Sequence, residues 1–159
     1  MAWEKLGSTT LGSSADTITV DSLEAKKHLM VQVKTSGSGS SSGYLRFNND
    51  SGSNYAWRLS DNGGADATGP SDTQLYAYIG TSATEKFSTY YIINEQTKEK
   101  LVTGVVMDHN SSGAGNAPNR RELTGKWANT TNQITRVDVI NHASGDFTEG
   151  SEVTVYGTD

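Results

Sequence analysis

The chain contains no cysteine among its 159 residues. This absence excludes a disulfide framework, a thiolate metal site and a cysteine nucleophile. Proline occurs only twice, and no apolar run approaches the roughly 20 residues that a membrane-spanning helix requires. Charged residues make up 19% of the chain and hydrophobic residues 33%. The scarcity of charge argues against a disordered polyelectrolyte, and the scarcity of long aliphatic side chains argues against a helical bundle.

Basic residues are also few, since 13 Lys and Arg stand against 18 Asp and Glu and give a net charge of −5. Binding to nucleic acid through its phosphates requires a basic surface, and anionic membranes attract the same sign of charge. We therefore expect no nucleic-acid partner and no membrane partner. The first ten residues, "MAWEKLGSTT", lack the basic and apolar regions of a secretory signal, so we expect no export by that route.

The sequence is rich in Gly, Ser, Thr and Asn, which form clusters about every ten residues, a spacing typical of all-β sandwiches. In "HLMVQVKT", Leu29, Val31 and Val33 alternate with polar or amphipathic residues, as in a half-buried strand. Further strands are predicted at "TITV", "YLRFN", "YAWRL", "LYAYI", "FSTYYIIN", "KLVTGVVMD", "ELTGKW", "QITRVDVIN" and "SEVTVYG". We predict one antiparallel β-sandwich domain over residues 1–159, with about eight to ten strands.

The sequence also predicts which strand is central and which segments connect the strands. "FSTYYIIN" carries aromatic and β-branched residues on both faces, which predicts a central strand. Asp21–Lys27 is the best candidate for a short helical turn, with Asp21 or Ser22 as its cap. Three polar segments are predicted to be linkers: 36–43, 60–74 and 109–121.

The stretch "FNNDSGSNYAWRL" joins two predicted strands. Its alternate positions hold oxygen-bearing residues and a glycine, superficially like a calcium loop: Asn48, Asp50, Gly52 and Asn54. A calcium loop of the EF-hand type also needs a glutamate at its twelfth position, where this chain has Leu59. We therefore predict a strand–turn–strand unit in which Asp50 and Asn54 order the turn and Gly52 takes a positive φ. Asp50 remains a weak calcium candidate, and no other metal site is predicted.

No catalytic motif is visible in the sequence. His28, His109 and His142 are far apart along the chain, and no G-x-S-x-G elbow is present. We predict no catalytic residue, no cofactor and no enzymatic activity. A hydrolase would need His109 or His142 to meet an acid and a hydroxyl from distant segments.

The aromatic residues are the best candidates for contact with a partner or a ligand. Tyr76 and Tyr78 share one face of "LYAYI", and Trp and Tyr are enriched at protein interfaces. We favour a role in the core or at an interface over a sugar-stacking platform. The candidate interface or ligand residues are Trp3, Trp57, Tyr76, Tyr78 and Trp127.

Three segments, "WEKLGSTTLGSSADTITV", "FNNDSGSNYAWR" and "GSEVTVYG", resemble small virion proteins of tailed bacteriophages, particularly marine ones. The resemblance implies a jelly-roll-type β-sandwich without catalytic residues. The resemblance also implies that the following residues are framework positions of the fold: Trp3, Asn48, Asp50, Gly52, Asn54, Tyr55, Gly150, Ser151 and Gly157.

This resemblance implies a structural role in a virion. We expect a capsid decoration (cement) protein on the outer surface, which stabilises the shell through multivalent contacts with major capsid subunits or other virion proteins. A homotrimer is the expected oligomer. The alternative is a module of a tail or capsid fibre, or knob, that binds a host receptor or glycan.

Overall fold

The computed structural model describes residues 2–38, 41–80, 84–109 and 111–159, with the backbone alone at 41 and at 77–80. These ranges contain twelve strands and no helix, so the all-β prediction is confirmed, with more strands than predicted. The strands are β1 Glu4–Thr10, β2 Thr17–Val20, β3 His28–Thr35, β4 Ser41–Phe47, β5 Tyr55–Asp61, β6 Ala67–Asp72, β7 Leu75–Gly80, β8 Lys86–Ile93, β9 Lys100–Asp108, β10 Asn119–Trp127, β11 Val137–Asn141 and β12 Glu152–Thr158.

The strands form two antiparallel sheets. The large sheet has eight strands in the order β1-β12-β3-β8-β9-β10-β5-β6, and the small sheet has four in the order β2-β11-β4-β7. The buried apolar residues of the two sheets belong to one cluster, as expected for a β-sandwich. Twelve strands exceed the eight of a plain jelly roll, so jelly-roll connectivity stays a prediction.

Alternation along the strands determines which residues enter the core. Leu29, Val31 and Val33 of β3 are buried, and so are Val153 and Val155 of β12, as the sequence pattern predicts. Phe47 of the small sheet packs with Tyr55 and Trp127 of the large sheet at one end of the core, with ring centroids 6.0 to 6.3 Å apart. The largest fully buried side chains are Trp127, Tyr55, Tyr90 and Phe47.

Two strands lie outside the named predicted segments, and both are edges of the large sheet. β1 pairs with β12, and its register shifts between Lys5 and Gly7. β6 lies inside the segment 60–74 that was predicted to be a linker, which is a correction. The Gly69-Pro70 pair is typical of a loop, and for this reason the sequence did not predict β6. Proline is tolerated at a sheet edge because its missing N–H is not needed there.

The predicted helical turn at Asp21–Lys27 is wrong. Ser22 has a φ of 55°, and the backbone N–H of Leu23 donates to Thr135 O at 2.9 Å. Leu23 is buried in the core. The segment therefore gains more from burying this side chain than from a single isolated helical turn, which is costly to nucleate.

The linkers predicted at 36–43 and 109–121 are shorter than expected. β4 begins at Ser41 and β10 begins at Asn119, so strands occupy the ends of both segments. Gly37 forms an isolated bridge with Phe147. Residues 39, 40 and 110 of these segments lie outside the described residues.

Candidate interaction surface

The central strands β8 and β9 have one buried and one exposed face. Tyr90 and Ile92 of β8 and Val102 and Val106 of β9 point into the core. Directly opposite residues of an antiparallel pair have their side chains on the same face of the sheet. The outward positions of the two strands therefore form four cross-strand rows: Phe87 with Met107, Thr89 with Val105, Tyr91 with Thr103, and Ile93 with Leu101.

Most of these outward residues are large and apolar, and they are exposed. Together with one tryptophan that precedes β1 we name them the outer band. Its members and their exposed fractions are Trp3 43%, Phe87 42%, Tyr91 50%, Ile93 43%, Leu101 52%, Val105 40% and Met107 44%. Single exposed apolar residues are ordinary on protein surfaces, but seven grouped on one face mark a candidate contact surface.

A cavity of about 250 Å³ lies at one end of the outer band. The ring of Trp3 meets the ring of Tyr91 edge-on, with centroids 6.3 Å apart. Ile93, Leu101 and His28 line the same cavity. Sugars need many hydrogen-bonding groups, whereas this lining is mainly apolar and suits an apolar side chain.

Charged residues flank the outer band, and most of them form ion pairs with one another. Lys34 lies opposite Phe87, and Arg120 and Lys126 lie opposite Met107 and Leu101. The ion pairs on this face are Lys34–Glu85 at 4.0 Å, Arg120–Glu122 at 3.7 Å, Lys126–Glu99 at 2.8 Å and Arg58–Asp66 at 2.7 Å. An apolar centre with a polar rim is the usual anatomy of a protein interface.

Sequence reasoning correctly predicted that β8 is central but missed the outer band. The signal was present, because "FSTYYIIN" and "KLVTGVVMD" both carry apolar residues on two faces. The apolar residues on both faces of "FSTYYIIN" predict a central strand, but they do not predict which face is exposed. In the structure the small sheet covers only the inner face, and the band remains exposed.

The five candidate aromatic residues have different environments. Trp3 belongs to the outer band. Trp57 and Tyr76 stack with ring centroids 5.0 Å apart, and both are half-buried against the core. Trp127 is 1% exposed, so its assignment as an interface or ligand residue is corrected to a core role. The side chain of Tyr78 lies outside the described residues.

The 48–54 turn is organised by Asp50, as predicted. Its carboxylate accepts hydrogen bonds from Gly52 N at 2.9 Å, Asn54 Nδ2 at 2.9 Å and Trp127 Nε1 at 2.7 Å. Tyr55 Oη also accepts from Phe47 N at 3.0 Å, which ties the end of β4 to the start of β5. Because β4 and β5 belong to different sheets, this turn links the two layers of the sandwich.

The backbone conformation of this turn differs from the prediction. Positive φ occurs at Asn48 and Asn49, at 50° and 56°, and not at Gly52. Asparagine tolerates this conformation better than most residues do. The Asn48 side chain also accepts from Thr135 N at 2.9 Å and Arg136 N at 3.1 Å.

The surroundings of Asp50 favour a carboxylate anion held by N–H donors. Burial alone would raise the pKa of the Asp50 carboxyl, but hydrogen bonds from Trp127, Gly52 and Asn54 lower it below its ordinary value. Both carboxylate oxygens already accept from N–H groups, which leaves poor geometry for a calcium ion. Within the described residues, no group of three or more His, Cys, Asp or Glu side chains could hold a metal.

A small polar cavity of about 110 Å³ lies at the other end of the large sheet. Asp61, Asp108, Asn119 and Arg121 line it, and Asn119 Nδ2 donates to Asp108 Oδ1 at 2.9 Å. Arg121 forms an ion pair with Asp61, while its buried Nε has no hydrogen-bond partner. Such carboxylate, amide and guanidinium groups can hydrogen-bond to hydroxyls.

The three histidines do not converge on one cleft within the described residues. His28 begins β3 beside Ile93, whereas His109 follows β9 at the opposite end of the large sheet. His142 follows β11 of the small sheet and packs on Tyr44, with the centroids of the two rings 4.8 Å apart. The absence of an enzymatic site stays a prediction. No helix in the described part of the chain is long and apolar enough to cross a membrane.

Comparison of the chain with protein-family models, with curated protein sequences and with solved structures gave no match.

Proposed function

We propose that this chain is a structural protein that acts through contacts with other proteins. The outer band carries the proposal, because a row of exposed aromatic and aliphatic side chains on a sheet face is typical of a surface that is buried on assembly. The assembly that we propose is the virion of a tailed bacteriophage, in which the chain decorates the outer surface of the capsid and stabilises it.

Two observations support the virion part of the proposal. The first is the resemblance of three sequence segments to phage virion proteins, described above. The second is the net charge of −5, which suits an exterior position away from packaged nucleic acid. The partners proposed are major capsid subunits or other virion proteins, and the expected homotrimer remains a prediction.

The test is attachment to particles. Purified chain is mixed with assembled particles that lack it, the particles are sedimented, and bound chain is quantified by mass spectrometry. We expect saturable attachment and a higher temperature of particle disruption. A chain that stays in the supernatant at all concentrations contradicts the proposal.

A second candidate function is a receptor- or glycan-binding module of a fibre, and the polar cavity with Asp61, Asp108 and Arg121 favours it. A glycan array, probed with and without calcium, tests this candidate. Hits that disappear in an Asn119→Ala variant support it, because Asn119 lines the cavity. An array without hits removes it.

A further inference from the structure

We infer that the outer band is the contact between two copies of this chain, which pack their large sheets face to face. The inference rests on the proposed role of the band as a protein interface, and it names the molecule that covers it. A pair of chains takes the place of the homotrimer expected from the sequence, and contacts with capsid proteins then fall to other surfaces of the pair. Three properties of the band carry the inference: its area, the charges around it and the arrangement of its rows.

The exposed apolar area is large for an isolated molecule. With exposed fractions between 40% and 52%, the seven side chains of the band offer together roughly 600 Å², at the upper limit of patches on monomeric proteins. A standard interface buries about 800 Å² on each partner. The half-buried Met30 and Tyr156, which lie on the same face beside Tyr91, extend the area towards that value.

The charges on this face permit a close approach of two identical chains. The whole chain carries a net charge of −5, so two copies repel one another through most of their surface. Beside the outer band, however, Lys34, Arg58, Arg120 and Lys126 each lie within 4.0 Å of a carboxylate. These four pairs are neutral, and Lys5 and Glu152, which lie on the same face opposite Tyr156 and Lys34, carry opposite charges. Two such faces therefore bring no excess of like charge together.

The rows of the band also suit a two-fold arrangement. Consistent with this, a two-fold axis can lie between the two packed sheets, parallel to the strands and above the gap between β8 and β9. It places β8 of one copy over β9 of the second. Tyr91 then faces the smaller Thr103 of the second copy, Thr89 faces Val105, and the apolar pairs Phe87 with Met107 and Ile93 with Leu101 meet towards the two ends of the contact. Stacked sheets separated by about 10 Å interdigitate in this way.

The experiment measures the mass of the purified chain in solution by sedimentation velocity over a range of micromolar concentrations. We expect the mass of two chains of 17.0 kDa each. Ile93→Lys places a charge in the band, and we expect it to weaken association at least tenfold. Ile140→Lys is the matched control, because Ile140 is a half-buried outward residue of the small sheet, and we expect it to leave association unchanged.

A second variant and a second signal keep the test decisive if Ile93→Lys fails to fold. Tyr91→Lys alters an outward side chain that is 50% exposed. Trp3 is the exposed tryptophan of the band, so dilution of the wild-type chain should change its fluorescence as pairs separate.

Each outcome has a separate meaning. A wild-type mass of one chain or of three overturns the inference, and so does an Ile140→Lys effect equal to that of Ile93→Lys. A monomer that attaches to particles overturns the inference and leaves the proposed function standing. A dimer that fails to attach to particles supports the inference and contradicts the proposed function.

Discussion

At the scale of single residues, the carboxylate of Asp50 is the most connected group of the turn between the two sheets. Asp50→Asn replaces one oxygen by an NH₂ group that points at other N–H donors. We expect a loss of about 1.5–3 kcal/mol in the free energy of unfolding, the range for hydrogen bonds to charged groups. Urea denaturation measures it, and Asp66→Asn, which removes only an exposed ion pair with Arg58, should cost less than about 1 kcal/mol.

The same carboxylate makes stability dependent on pH. Its pKa is lowered in the folded chain, so its contribution is fully present above the ordinary value of 3.8 and is lost as the pH falls through the folded pKa. The difference in stability between wild type and Asp50→Asn should therefore shrink below pH 3.8. A difference that is constant down to the lowest pH at which both fold would contradict this account.

Gly104 in the middle of β9 is a second position where a single atom matters. A Cβ there would lie 2.3 Å from Cδ1 of Tyr90, a buried ring. We expect Gly104→Ala to reduce the free energy of unfolding by about 1–3 kcal/mol because the ring must move. Gly115→Ala is the control, since no atom lies within 4 Å of its Cβ position. Thermal unfolding of the two variants measures the difference. Equal midpoints would contradict a close contact between a Cβ at position 104 and the Tyr90 ring.

At the scale of elements, Lys100 fastens the β8–β9 connection to the segment that follows β10. Its ammonium is completely buried and donates to Gln96 O at 3.1 Å, Lys98 O at 2.7 Å and Asn129 O at 2.8 Å. Lys100→Met keeps the aliphatic volume but leaves these carbonyls without their donor. We expect a loss of about 3 kcal/mol or more in the free energy of unfolding.

Hydrogen exchange locates the effect. Amides of residues 94–99 and 128–132 should lose protection in Lys100→Met, whereas the amides of β3 and β12 should not. Lys98→Met is the control, because the Lys98 side chain is exposed. Uniform loss of protection along the chain would mean that Lys100 does not act as a local fastener.

At the scale of the whole molecule, the response of association to salt separates apolar from electrostatic pairing. Raising the ionic strength from about 0.01 M to about 0.15 M shortens the Debye length from about 30 Å to about 8 Å. We expect the dissociation constant of the pair to stay constant or fall, because the net charge of −5 is screened while the apolar contact is not affected. Sedimentation at both ionic strengths measures it, and marked weakening would indicate ion pairs across the contact.

The sequence predicts features that depend on neighbouring residues better than features that depend on residues far apart along the chain. The inward faces of β3 and β12 followed from alternation alone, which is a local property. β6 was missed because Gly69 and Pro70 are typical of turns, and only a neighbouring strand makes them an edge. The hydrogen bond between Trp127 and Asp50 joins residues 77 positions apart, which no local pattern predicts.

The outer band shows a further reason why the site was less predictable than the fold. Periodicity reveals that a strand has two apolar faces, but not how many sheets are present to cover them. Periodicity therefore does not reveal that Tyr91 and Leu101 are about half exposed.

The two edges of the large sheet limit how this protein can assemble. Pro70 interrupts the row of N–H donors along β6, and the register shift between Lys5 and Gly7 interrupts β1. An incoming strand would find no continuous ladder at either edge. Growth of the large sheet into ribbons or fibrils by addition of strands is thus disfavoured, and we expect concentrated solutions of this acidic chain to stay clear.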